Sequence, residues 1–318
     1  IRDGVLVCGV RAPNRTLHCL THRAVAPRYE TSVLINLSEL SRNPKATSLV
    51  GLRLGGKGPF PDYRSAAVHG IGIDVGVETT GALRIGDRRS SETISLEGPV
   101  RLHVVITDSS GGSRVQLTAH SPDGGPELAR LTHNEFKSED LIGNVALLSH
   151  IEEETPDQAA MFSDWDISGS GILADPSVGF GPIMFAQYTL HQNTLKLTAQ
   201  LAPIESIPDL EVVLETRSQG RDWAQVARAS IDALARTARF RVESWVSSRD
   251  VEYRIRVTIP LTTGPAVYEY LGTVAAEPNL MDSLKAAVFS CNADHGFPDS
   301  EVVENVSVHK PDLSLFLG

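Results

Sequence analysis

The chain is poor in cysteine and in positive charge, and each shortage removes a class of protein. Three cysteines in 318 residues are too few for a disulfide framework or a Cys-rich zinc module. Lys and Arg number 29 against 39 Asp and Glu, a formal net charge of −10. General nucleic-acid binding needs a basic face that displaces counterions, so that partner is not expected. No run approaches 18 uninterrupted apolar residues, so no membrane-spanning helix is expected either. What remains is ordinary for a globular protein with real cores: 41% hydrophobic, 21% charged, and enough length for two or three domains.

From Ile1 to about Gly171 the dominant period is two. Val33, Ile35 and Leu37 alternate with polar residues, as do Ile71, Ile73, Val75 and Val77. Val100, Leu102, Val104 and Ile106 repeat the pattern, and beyond a Ser-Ser-Gly-Gly turn so do Val115, Leu117 and Ala119. Such alternation buries one strand face and leaves the other in water. The expectation is an antiparallel β-sandwich over 1–172. Gly169 to Gly171 and the Pro176–Pro182 stretch read as a linker.

A second β block is expected over 173–278, with Leu195-Lys196-Leu197, Val212-Val213-Leu214, Trp223, Phe240 with Val242, Val251–Val257 and Tyr268–Val274. Seven short strands with one tryptophan midway resemble a fibronectin-III-like sandwich in pattern. After Glu277-Pro278 the period changes. Lys285–Ser290 is nearly continuous and apolar, as a buried parallel strand should be. Pro298 is expected to open a helix with Val302, Val303 and Val306 on one face. Pro311 ends it, and Leu313–Gly318 forms a second apolar strand. That is the start of an α/β domain over 279–318. The sequence starts at Ile1 rather than Met and stops flush with this strand, so it is expected to be a stretch of a longer polypeptide.

Two resemblances add to this reading. Gly143–Leu148 and Met161–Gly169 resemble the closing strands of concanavalin-like jelly rolls, a family whose sandwiches often bind carbohydrate. Trp165, in a run alternating with Asp, is expected in the core and not as a sugar platform. Phe289-Ser290-Cys291, His295-Gly296-Phe297 and His309–Gly318 resemble the opening of PhoD-like metallophosphatases. In that family a Ser-Cys pair closes the first strand, and the second reads Pro-Asp-Leu, apolar residues, then Gly-Asp. The resemblance implies iron and calcium as cofactors, with Cys291 as an iron ligand. It places the bridging carboxylate on the residue after Gly318. One thiolate cannot hold the metals, so the chain alone is expected to be inactive.

Open α/β sheets place ligands outside the carboxyl ends of their strands. The loop after the first such strand carries Cys291, Asn292, Asp294 and His295, all residue types that ligate metals. Spacing alone equally fits a buried thiol beside a solvated loop. Cys8 and Cys19 lie at equal offsets from Pro13-Asn14, so a hairpin would bring them opposite each other as a disulfide. The other reading is two small residues packed inside. A bond would fit the secreted or periplasmic setting of such a phosphatase.

Three further patterns are read as structural. Gly51–Lys57 has phosphate-loop spacing, but Gly58 stands where Ser or Thr should bind magnesium, so a β-turn region is expected. His18 and His22 lack a third ligand placed by sequence, and Glu152–Glu154 reads as a solvated charge run. The function expected is the N-terminal part of a metal-dependent phosphoric ester hydrolase acting on a phosphate ester, its sandwiches positioning the catalytic domain or tethering it to carbohydrate or another cell-surface polymer. The alternative is a non-enzymatic carbohydrate-binding or adhesion protein.

Overall fold

The computed structural model describes residues 4–37, 48–59, 65–66, 70–178, 181–217, 222–261, 264–277, 283, 285–291 and 299–317. The protein is mainly β and built of sandwiches. Backbone contacts divide it into two compact units, residues 1–179 with 292–300, and 180–291 with 301–318.

The first unit holds thirteen strands among the described residues: β1 (Leu6–Val7), β2 (Arg15–Ala24), β3 (Tyr29–Asn36), β4 (Leu49–Lys57), β5 (Ile71–Glu78), β6 (Ala82–Ile85), β7 (Arg88–Thr93), β8 (Val100–Ser109), β9 (Gly112–His120), β10 (Glu127–Phe136), β11 (Gly143–His150), β12 (Met161–Ser168) and β13 (Ile172–Ala174). They form two sheets, ordered β1-β12-β3-β8-β9-β10 and β13-β2-β11-β4-β5-β6-β7. The alternating residues face inward. Val33, Ile35, Leu102, Val104, Leu117, Leu52, Val75 and Leu147 pack into one core at 4% exposure or less. Because β13 pairs with β2, this sandwich runs past residue 172.

Strand β4 corrects the expected turn at 51–57. Its residues from Leu49 to Gly56 are buried, so no polar face marks it as a strand in the sequence. Leu52 and Leu54 face the core, while Gly51 lies across from Gly76 on β5. A Cβ on Gly51 would stand 2.2 Å from the Val75 carbonyl oxygen, so glycine permits the close approach of these two strands. At Gly55 (φ 61) the pairing slips against both neighbours, a bulge that suits glycine's left-handed freedom.

The second unit contains β14 (Ile183–His191), β15 (Thr194–Leu201), β16 (Glu211–Arg217), β17 (Ala224–Asp232), β18 (Thr237–Val242), β19 (Val251–Leu261) and β20 (Gly264–Val274). Their order is β14-β15-β18-β17-β16-β19-β20. Only Ile231↔Ala238 and Asp232↔Thr237 join β17 to β18, so three strands face four. Leu195, Leu197, Leu214, Phe240, Ile255 and Val257 fill the space between. The core tryptophan is Trp245, 6% exposed. Trp223 instead lies half-buried between the guanidinium groups of Arg217 and Arg254, at 4.8 and 4.7 Å from the ring centre.

The tail forms a strand–helix–strand unit: β21 (Ala286–Ser290), α1 (Ser300–His309) and β22 (Leu313–Leu317). The two strands pair in parallel, Ala286↔Leu313 through Ser290↔Leu317. Helix α1 begins at Ser300, and Pro298 lies outside the described residues. The strands were expected to be buried, yet Val288 is 56% and Phe316 70% exposed.

Candidate functional site

In a parallel pair the two carboxyl ends lie side by side, and here those ends are Ser290 and Leu317. Cys291 follows immediately, exposed, with its N–H directed to the Leu317 carbonyl at 3.4 Å. Its backbone takes φ 56, a left-handed conformation uncommon outside glycine and unfavourable for a cysteine. The Ser290 hydroxyl lies 3.6 Å from the Cys291 sulfur. Asn292, Asp294 and His295 lie outside the described residues. Asp312 is at the opposite end of the strand pair, where its carboxylate accepts the Lys285 N–H at 2.9 Å.

No protein-family model matches the chain, and no curated protein matches it.

A centre of iron and calcium needs several oxygen, nitrogen or thiolate donors about each ion. Among the described residues no three His, Cys, Asp or Glu side chains gather around one point, and this edge offers Cys291 alone. The described residues therefore do not fit the two metals by themselves. The edge supplies one soft donor, exposed and held by the strand that precedes it.

A second group of polar side chains crosses the β13-to-β7 sheet. The register places His18, Ala146, Arg53 and Asp74 in one row over β2, β11, β4 and β5. Arg53 grips Asp74 through two hydrogen bonds, Nε to Oδ1 at 2.7 Å and Nη2 to Oδ2 at 3.0 Å. Its remaining Nη1 donates to the Gly70 carbonyl at 3.2 Å. The pair is largely removed from water, with side chains 9% and 21% exposed. His18 Nδ1 is buried without a hydrogen-bond partner. Burial, and next the charge of Arg53, lower the His18 pKa below its ordinary value. On the same sheet Glu78 is 2% exposed and held by Arg89 at 2.7 Å and Arg84 at 3.5 Å. The sequence reading missed these carboxylates because it placed Arg53 in a turn. No local period could have found them, since residues 49–56 are buried on both faces of the strand.

The expected Cys8–Cys19 disulfide is corrected: both are free thiols. The hairpin that would join them does not form, since β1 pairs with β12 and β2 pairs with β11 and β13. Cys8 exchanges backbone hydrogen bonds with 159–160, and its thiol donates to Val10 O at 3.3 Å. Cys19 lies 3.9 Å from both the Thr21 hydroxyl and His22 Nδ1. Trp165 packs against the core, its indole N–H donating to the buried Thr31 hydroxyl at 3.1 Å. In the Glu152–Glu154 run, Glu153 and Glu154 are exposed.

Proposed function

We propose that this chain is the amino-terminal part of a PhoD-like, metal-dependent phosphoric ester hydrolase. The observation that carries the reading is the parallel β21–α1–β22 unit with Cys291 at its carboxyl edge, the place that open α/β sheets use for ligands. In this reading Cys291 gives one thiolate to an iron–calcium centre, and the other donors come from elsewhere in the α/β domain. Metals of that kind polarise a phosphoryl oxygen and supply a hydroxide nucleophile. The two sandwiches position that domain or tether it to a carbohydrate or other surface polymer, in a secreted or periplasmic setting.

The test is hydrolysis of p-nitrophenyl phosphate and of bis(p-nitrophenyl) phosphate. It compares the natural polypeptide carrying this sequence with residues 1–318 alone, each with and without a chelator. Chelator-sensitive hydrolysis by the first and none by the second is expected. No hydrolysis by either refutes the reading.

A further inference from the structure

Strand β2 carries an outsized bulge. It pairs with β11 at Arg23↔Asn144 and next at His18↔Ala146, so the single residue Val145 lies opposite four, Cys19 to His22. The extra residues are held on their other side. Strand β13 pairs with β2 at Ala174↔His22, and the Asp175 N–H donates to Thr21 O at 2.8 Å. Residues three apart on a regular strand point to opposite faces. Here the bulge brings the Cys19 thiol and the His22 imidazole together, with the Thr21 hydroxyl beside both.

The three donor atoms form a triangle. Cys19 Sγ stands 3.9 Å from His22 Nδ1 and 3.9 Å from Thr21 Oγ1, and those two are 3.0 Å apart. The centre of such a triangle lies about 2.1 Å from each corner, against usual zinc bonds of about 2.0–2.1 Å to imidazole and 2.3 Å to thiolate. Hydrogen bonding alone does not account for the spacing, because a thiol is a weak donor and both its contacts are long. All three residues are half-buried, so the fold fixes the donors and an ion can still reach them from solvent.

We propose that Cys19, His22 and Thr21 bind one zinc ion, with water in the fourth position. Donor type selects the metal. Thiolate with imidazole suits zinc, whereas calcium and magnesium need oxygen cages, and no carboxylate belongs to the triangle. Among the described residues no third His, Cys, Asp or Glu joins the pair, so the hydroxyl and water complete the shell. On binding, the thiol gives its proton to solvent and becomes the thiolate, while the imidazole keeps its proton on Nε2 and offers the Nδ1 lone pair. Thr21 turns its hydroxyl oxygen from the imidazole to the ion. His18 has no part in this site, because it lies in the row of Arg53 and Asp74. The inference rests on the first sandwich alone and stands apart from the iron–calcium centre proposed at Cys291.

The experiment uses the reduced 318-residue chain carrying Cys8→Ser and Cys291→Ser, which leaves Cys19 as its one thiol. The probe is cobalt(II), whose bond to thiolate gives a charge-transfer absorption, followed by displacement with zinc(II). One equivalent of cobalt with that absorption, displaced by one equivalent of zinc, is expected. In the same background Cys19→Ser abolishes the absorption, His22→Gln weakens zinc binding roughly 100-fold, and Thr21→Val weakens it roughly tenfold. If Cys19→Ser does not fold, His22→Gln decides. No saturable binding by the background chain, cobalt absorption that survives Cys19→Ser, or zinc affinity unchanged in His22→Gln overturns the proposal.

Discussion

Replacing Asp74 by alanine tests whether the face of the β13-to-β7 sheet that carries Arg53 is as dry as its geometry says. The substitution leaves the Arg53 guanidinium, whose side chain is 9% exposed, with the Gly70 carbonyl as its remaining acceptor. Removing one partner of a fully buried ion pair costs about 3–5 kcal/mol, because the other charge stays buried and uncompensated. Asp74 is 21% exposed and the Gly70 bond survives, so water and that carbonyl relieve part of the penalty. A loss of roughly 2–3 kcal/mol is expected for Asp74→Ala. In a unit of this size that lowers Tm by about 4–12 °C. The double variant Arg53→Met/Asp74→Leu removes both charges at similar volume and should recover most of the loss. Differential scanning calorimetry is the assay, and only the transition of the first sandwich should move. A loss below about 1 kcal/mol for Asp74→Ala, or a double variant no better than the single, refutes the reasoning.

Three further expectations follow from neighbouring residues. The His18 pKa lies below the ordinary 6.5, so the unfolded chain takes up a proton there first as pH falls, and stability declines below about pH 6.5 until the folded imidazole also titrates. His18→Gln should flatten that part of the stability–pH curve, and an unchanged slope counts against the placement. Gly51→Ala should cost about 1–3 kcal/mol or more, since its Cβ would meet backbone 2.2 Å away, while Gly272→Ala should do likewise against the Tyr253 ring at 2.5 Å; urea melts within 0.5 kcal/mol of wild type would contradict both. Thiol titration under denaturing, non-reducing conditions should count all three cysteines as free, and a single reactive thiol would restore the Cys8–Cys19 bond.

How far the sequence carried depended on how many faces of each element are wet. Val100, Leu102, Val104 and Ile106 alternate visibly because β8 has one dry face, and the same holds for β3 and β9. Strand β4 is dry on both faces and thinned by glycines, so its period vanished, and with it the Arg53–Asp74 pair. The parallel tail was legible because its change of period and its Pro-bounded helix leave few topologies. The cysteine pairing failed because equal offsets about a turn say nothing when the flanking segments pair elsewhere, Leu6 with Phe162 and Leu17 with Leu147.

The most direct measurement of the central claim is iron content and phosphodiester hydrolysis of the natural polypeptide carrying this sequence, compared with its Cys291→Ser variant. Loss of stoichiometric iron together with a fall in rate of about 100-fold or more is expected if the thiolate at the end of β21 ligates the metal. A variant that keeps both its iron and its full rate would show that Cys291 is no ligand and would contradict the account.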